Sequence, residues 1–262
     1  MKRIMMEKRI LHSIAEKYKV QAELRGWNWD RPPVKPNHYL GLGVSEVAYF
    51  SCCPEEAIKM KLGKKEVNDS MLFGLMVHKV FMSVVNEINA MVLKGLRPWL
   101  ISTILMKRSN AVVRSFTNDR SLQEKLSELY RALTILFVGD VASEMMLNNP
   151  YTPKPIMISE YVINGIPLGL SKRLRADAVS EGMVLELKTG KIQKWHRIQL
   201  AGYAMALESQ IEQPVDYGAL LSINVDKLKL EVSGVFIDEG LRSEFLEARN
   251  EMGEEILRSG VL

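Results

Sequence analysis

Through the first 150 residues apolar positions recur at intervals of three and four, the spacing of helices that each bury one face. The pattern predicts helices over 7–24, 46–60, 71–93, 100–116 and 122–146. A loop over 25–36, carrying Trp27, Trp29 and three prolines, separates the first two. Ser45 gives the second helix a polar start, and Asp69-Ser70 opens the third. After Pro150 the period changes to two. Residues 156–163 alternate and are rich in β-branched side chains, Asn164-Gly165 is a hairpin turn, and 166–170 runs back. A second hairpin joins 174–179 to 183–188 through Ser180-Glu181-Gly182. A helix over 193–210, strands over 217–223 and 229–236, and an amphipathic helix over 239–257 complete the chain. Residues 1–150 thus read as a mainly helical region and 151–262 as a sheet-containing core, together one continuous α/β (α+β) domain.

Composition changes this picture little. At 262 residues, 47% hydrophobic and 25% charged, the chain has the balance of an ordinary globular protein and ample length for a core. A net charge of +4 and a pI near 8.9 favour a polyanionic partner weakly. The distribution says more. Lys59, Lys61, Lys64 and Lys65 form one basic group, read as a solvated face. Lys172, Arg173 and Arg175 form a second, and Lys188, Lys191, Lys194 and Arg197 a third. These two flank an acidic pair, which favours phosphate contact. Neither a run of about 18 apolar residues nor a signal-type leader stands out, so no membrane and a cytoplasmic location are expected. Only Cys52 and Cys53 are present, too few for a disulfide framework, which fits a reducing compartment.

The acidic pair carries the chemistry. In Val184-Leu185-Glu186-Leu187-Lys188 alternation puts Glu186 and Lys188 on one face and the two leucines on the other. Asp177 lies on the preceding strand, and the hairpin brings its carboxylate beside Glu186. Two carboxylates so placed repel each other unless a cation sits between them. Oxygen ligands suit Mg²⁺ or Mn²⁺, which generates hydroxide and stabilises developing charge on a phosphodiester. Lys188 would steady the attacking water or the oxyanion. Taken alone, Glu-Leu-Lys reads more readily as a surface ion pair on an edge strand. Two further features bear on this. His196, Gln199 and Tyr203 fall on one stripe of the next helix, beside the hairpin. His78, four residues after Gly74, sits in an otherwise apolar helix, where a histidine is ordinarily a satisfied core residue.

Gly74 to His78, Asp177, Glu186-Leu187-Lys188 and Gln199 to Tyr203, in this order and with these gaps, resemble the PD-(D/E)XK nuclease superfamily in its RecB-like branch. The resemblance covers roughly 45–236. It implies a restriction-endonuclease-like core, a mixed sheet flanked by helices. It also implies metal ligation by His78, Asp177, Glu186 and the Leu187 carbonyl, catalysis by Lys188, and substrate-side roles for Gln199 and Tyr203, with His196, Arg175 and Lys191 beside them. The Arg25-Gly26-Trp27-Asn28-Trp29 to Pro33 loop and Cys53-Pro54 are similar to CRISPR-associated RecB-like exonucleases of the archaeal spacer-acquisition subgroup. Members of that family hold an iron–sulfur cluster on four cysteines; with no cysteine after Cys53, loss of the cluster is the favoured expectation, the alternatives being that Cys52 and Cys53 are buried apolar residues or serve a site shared between chains. Packing by the C-terminal helix against the helical half is expected in its place, and Trp27 and Trp29 stay open between packing and base stacking.

The resulting expectation is a Mg²⁺- or Mn²⁺-dependent DNA exonuclease supplying processed ends to an integrase-type partner. The alternatives are a general repair or phage-type nuclease, and a non-catalytic DNA-binding subunit. The intact set of His78, Asp177, Glu186 and Lys188 argues against the last. Homo-oligomerisation stays open.

Overall fold

A computed structural model describes residues 4–63, 69–147 and 156–260. Its helices are α1 (Ile4–Ala15), α2 (Val44–Phe50), α3 (Pro54–Leu62), α4 (Asp69–Leu93), α5 (Pro98–Arg114), α6 (Arg120–Leu147), α7 (Lys194–Ile211) and α8 (Glu239–Arg258). Its strands are β1 (Ile158–Ile163), β2 (Leu174–Ser180), β3 (Met183–Lys188), β4 (Tyr217–Asn224) and β5 (Lys229–Phe236). They form one sheet in chain order, antiparallel except for the parallel pair β3 and β4, which α7 connects. The expected mixed sheet flanked by helices, with a helical N-terminal half, is thus present.

Each face of the sheet has its own core. Leu185 and Leu187 of β3 join Ala219 and Leu221 of β4 in a cluster with α1, α4, α5 and α6. Val184 and Leu220, pointing the other way, join α2, α7 and α8. The two-residue alternation of β3 is therefore what sends Glu186 and Lys188 to the α7 side. Helix α4 is long and apolar enough, by length and composition, to cross a membrane. Here it is a core helix: Val77, Val80, Phe81, Val84 and Ile88 are fully buried, and its polar face is partnered, with Glu87 contacting Tyr130 and Arg108 and Asn86 contacting Ser159.

Three sequence expectations need correction. The first helix ends at Ala15, and 16–21 is irregular. The helix expected over 46–60 is two, because Pro54 lacks the N–H a continuing helix needs and instead starts α3, with Cys53 as its cap. The stretch 166–170 is not a returning strand. Asn164 accepts the Ile166 N–H, Pro167 sits in a short 3₁₀ turn, and Gly169 takes a left-handed conformation (φ 69°), so β1 pairs with β2 instead. Leu170 bridges to Leu42. The expected packing of the C-terminal helix against the helical half is present: α8 docks on α2 and α3, and on α7 as well, while Leu257 is exposed.

Candidate active site

The β2–β3 hairpin closes through Glu181 and Gly182, both at positive φ (40° and 77°), the two-residue turn whose twist matches the strands. Register then runs Ser180 to Met183, Val179 to Val184 and Ala178 to Leu185, and the ladder stops. At the next step side chains take over from the main chain. The Asp177 carboxylate accepts the Leu187 N–H at 2.7 Å, and the Asp177 N–H points at Glu186 Oε1 at 3.4 Å. The strands open where the two acids meet.

Three other elements converge on this opening. From α4, His78 Nδ1 lies 2.9 Å from Asp177 Oδ1. Gly74, one turn earlier, faces Thr189; a Cβ there would sit 3.7 Å from Thr189 Oγ1, an ordinary contact. From α7, Gln199 donates through Nε2 to Glu186 Oε2 at 2.8 Å and accepts from Lys188 Nζ at 2.9 Å. Lys188 Nζ also donates to Glu186 Oε2 at 3.1 Å. Glu186, Lys188 and Gln199 thus form a closed triangle, with the lysine held by two acceptors.

Glu186 is only 3% exposed. Burial, then the charge of Asp177, push its pKa up to about 8, although Lys188 pulls the other way. For His78 burial opposes a proton, but the hydrogen bond and charge of Asp177, with Glu186 adding, prevail and raise its pKa. Two acids here face one lysine, and the raised pKa values show that protons on Glu186 and His78 offset the excess in the metal-free site. Two carboxylates, an imidazole and the Leu187 carbonyl make a donor set that fits a hard divalent cation, which would take the place of those protons. Among the described residues no group of three such side chains already encloses a common point. Asp177 is committed to His78 and to the Leu187 N–H, so a cation here requires Asp177 and His78 to part.

The remaining expected residues are placed as follows. Tyr203 is buried, and its hydroxyl donates to the Arg175 carbonyl at 2.8 Å; burial, then the charges of Glu186 and Asp177, raise its pKa. It ties α7 to β2. His196 caps the start of α7, its Nδ1 accepting the Gln193 N–H at 3.0 Å. Burial, then the charge of Lys188, hold it down at about 4, so it is neutral near pH 7. Both act as positioning groups in this structure. Arg175 is exposed and paired with Glu160 at 3.0 Å, and Lys194 with Glu244 at 2.9 Å. Lys172, Arg173, Lys191 and Arg197 are exposed. Of the first basic group, Lys61 pairs with Glu46, and Lys64 and Lys65 lie outside the described residues. Sequence reasoning missed Trp195, whose ring lies tilted at 59° against His196 (centroids 3.9 Å apart) and meets Tyr49 edge-on at 5.4 Å. A tryptophan opening the helix beside the hairpin was the available signal. Trp27 lies under Arg25, in a loop that packs on the opposite end of α7, where Gly26 abuts Met205.

Comparison with known proteins adds to this geometry. A sequence model of the family described as CRISPR-associated exonuclease Csa1 matches residues 1–260. Two curated relatives carry the same description. One, from Saccharolobus solfataricus, is 28% identical over 254 residues, 92% of this chain and 86% of the relative. The other, from Thermoproteus tenax, is 32% identical over 243 residues, 88% of this chain and 82% of the relative.

Proposed function

The chain belongs to the CRISPR-associated exonuclease Csa1 family, and from that premise we propose that it is a Mg²⁺- or Mn²⁺-dependent deoxyribonuclease that trims DNA ends. The observation that carries this reading is the meeting of buried Glu186 with partly buried Asp177, flanked by Lys188 and His78, at the point where the hairpin opens. His78, Asp177, Glu186 and the Leu187 carbonyl would hold the cation. When bound, the cation lowers the pKa of water and offsets charge developing on a phosphodiester. The chain's own residues do the rest. Gln199 fixes Lys188 Nζ against Glu186, aiming a cation at the position where the attacking oxygen or the oxyanion would lie. Tyr203 holds α7 against β2, and His196 caps the start of α7, so that Gln199 keeps that geometry.

The exposed basic residues Lys172, Arg173, Lys191 and Arg197 would lead the DNA backbone to this centre. The role that follows is preparation of DNA ends for spacer acquisition in the cytoplasm, delivered to integrase-type partners. Iron–sulfur chemistry is not part of the proposal, since Cys52 and Cys53 are the chain's only cysteines and cannot supply four thiolates. The test is end-labelled single- and double-stranded DNA incubated with Mn²⁺, with Mg²⁺ and with chelator. Metal-dependent shortening from ends is expected, and its disappearance in Asp177→Asn. Shortening that persists in chelator, or in that variant, would refute the assignment.

A further inference from the structure

Away from the hairpin, α3 and α8 leave an open groove of about 860 Å³ between them. Its floor is apolar: Phe50, at the end of α2, is 5% exposed, and Ile58 is half-buried. Its walls are charged. Glu251, Glu254 and Glu255 lie along α8 and Glu55 opens α3, against Lys59 and Arg258. Arg258 is already satisfied by Glu255 at 2.6 Å and Glu254 at 3.5 Å. Among the described residues Glu55 and Glu251 have no ion-pair partner, which leaves the groove net negative even with Lys59 counted.

This chemistry is opposite to that of the catalytic face. An acidic wall repels a phosphate backbone, so the groove is unsuited to the nucleic acid that the hairpin is proposed to bind. Its apolar floor between two helices, with acidic walls, suits a third helix, one apolar side down and basic residues at the flanks. We propose that the α3–α8 groove docks an amphipathic, lysine- or arginine-flanked helix of a protein partner, so that partner and DNA occupy opposite chemistries of one molecule. The inference builds on the nuclease reading only in assigning DNA to the hairpin and its basic residues; the groove itself is tested without DNA.

The test uses the full chain, in chelator, and two labelled helical peptides with the same leucine face, one flanked by lysines and one by glutamates. Anisotropy should show the lysine peptide binding at least tenfold more tightly, with affinity falling as salt rises. Glu55→Lys combined with Glu251→Lys should reverse the preference, and Lys59→Glu should strengthen it. None of these changes should alter DNA cleavage, whatever its rate. Equal binding of the two peptides, no binding of either, or charge reversals without effect would overturn the proposal. So would displacement of the lysine peptide by a DNA oligonucleotide that competes for the groove. Loss of cleavage with peptide binding intact would count against the nuclease reading alone.

Discussion

Two buried charge clusters lie along α7, and they are balanced differently. Near its C-terminal end Glu208, wholly buried, is gripped by Arg25 at 2.9 Å and by Arg242 at 2.8 and 3.0 Å, and Asp216 shares both arginines. Two acids meet two bases, and Glu208 also accepts the Gly26 and Val215 N–H groups. Near the other end Glu186 is as deeply buried but has one lysine and a second acid beside it. The first cluster is neutral and locks the 25–28 loop, β4 and α8 onto α7. The second has one lysine for two acids, so protons on Glu186 and His78 offset the difference, as a bound cation would in their place. Burial of a carboxylate is therefore not the signature of a site; burial without matching bases is.

The strongest break in this comparison is chemical. Replacing Asp177 or Glu186 with alanine is expected to abolish cleavage, by more than the roughly 10²–10³-fold that loss of one stabilising donor costs. The fold should survive, because removing one acid relieves repulsion in the metal-free protein. Steady-state cleavage alongside circular dichroism checks both halves, and wild-type rates from either variant would end the assignment. The counterpart at the neutral cluster should behave inversely. Arg242→Met strands Glu208 without its principal partner, and breaking a buried pair costs about 3–5 kcal/mol. Denaturant unfolding should show that loss, while the cleavage rate of the molecules still folded stays near wild type. A variant that kept its stability would mean the cluster is not the lock described.

A pH series separates the clusters more finely. The folded-state pKa of Glu186, about 8, lies above its unfolded value, so the folded protein retains a proton that the unfolded chain releases earlier. Stability from this source is fully present below the unfolded value and is lost as pH rises through about 8. Glu186→Gln cannot lose it. The metal-free variant should match wild type in thermal midpoint near pH 4.5 and exceed it increasingly up to pH 8, about the range between the two values. Added Mn²⁺ should close the gap by stabilising wild type alone. A constant offset across pH would show that Glu186 is not the strained group.

Much of this was legible in the sequence, for physical reasons that differ by element. Alternation in Val184-Leu185-Glu186-Leu187-Lys188 fixes the face of each side chain, and the Glu181-Gly182 turn fixes register, so Asp177 and Glu186 meet as expected. The helical spacing of Gln199 and Tyr203 likewise places both beside the hairpin, although Tyr203 spends its hydroxyl on a backbone carbonyl. The neutral cluster left no such trace. Arg25, Glu208, Asp216 and Arg242 are spread over more than 200 positions of sequence, and nothing local marks them as partners. The return strand expected at 166–170 failed because a good hairpin dipeptide, Asn164-Gly165, was followed by Pro167, whose fixed φ favours the turn. Long-range ion pairing and turn chemistry are where periodicity stops informing.

The smallest expected effect distinguishes basic residues that sequence alone treats as equivalent. Lys191 and Lys194 stand three apart beside the catalytic hairpin, yet Lys194 is paired with Glu244 at 2.9 Å while Lys191 is exposed and has no ion-pair partner among the described residues. A lysine held by a carboxylate releases little counterion on meeting a phosphate, because its charge is already partly neutralised. With Ca²⁺ in place of Mn²⁺ to block cleavage, DNA affinity should fall with salt. Lys191→Ala should reduce the slope of log affinity against log salt by about 0.7 on single strands or about 0.9 on duplex. Lys194→Ala should change it by much less, and Glu244→Ala, by freeing Lys194, should steepen it. Equal slopes for all three variants and wild type would remove this surface from the DNA path and leave Lys172 and Arg173, before β2, as the residues to replace next.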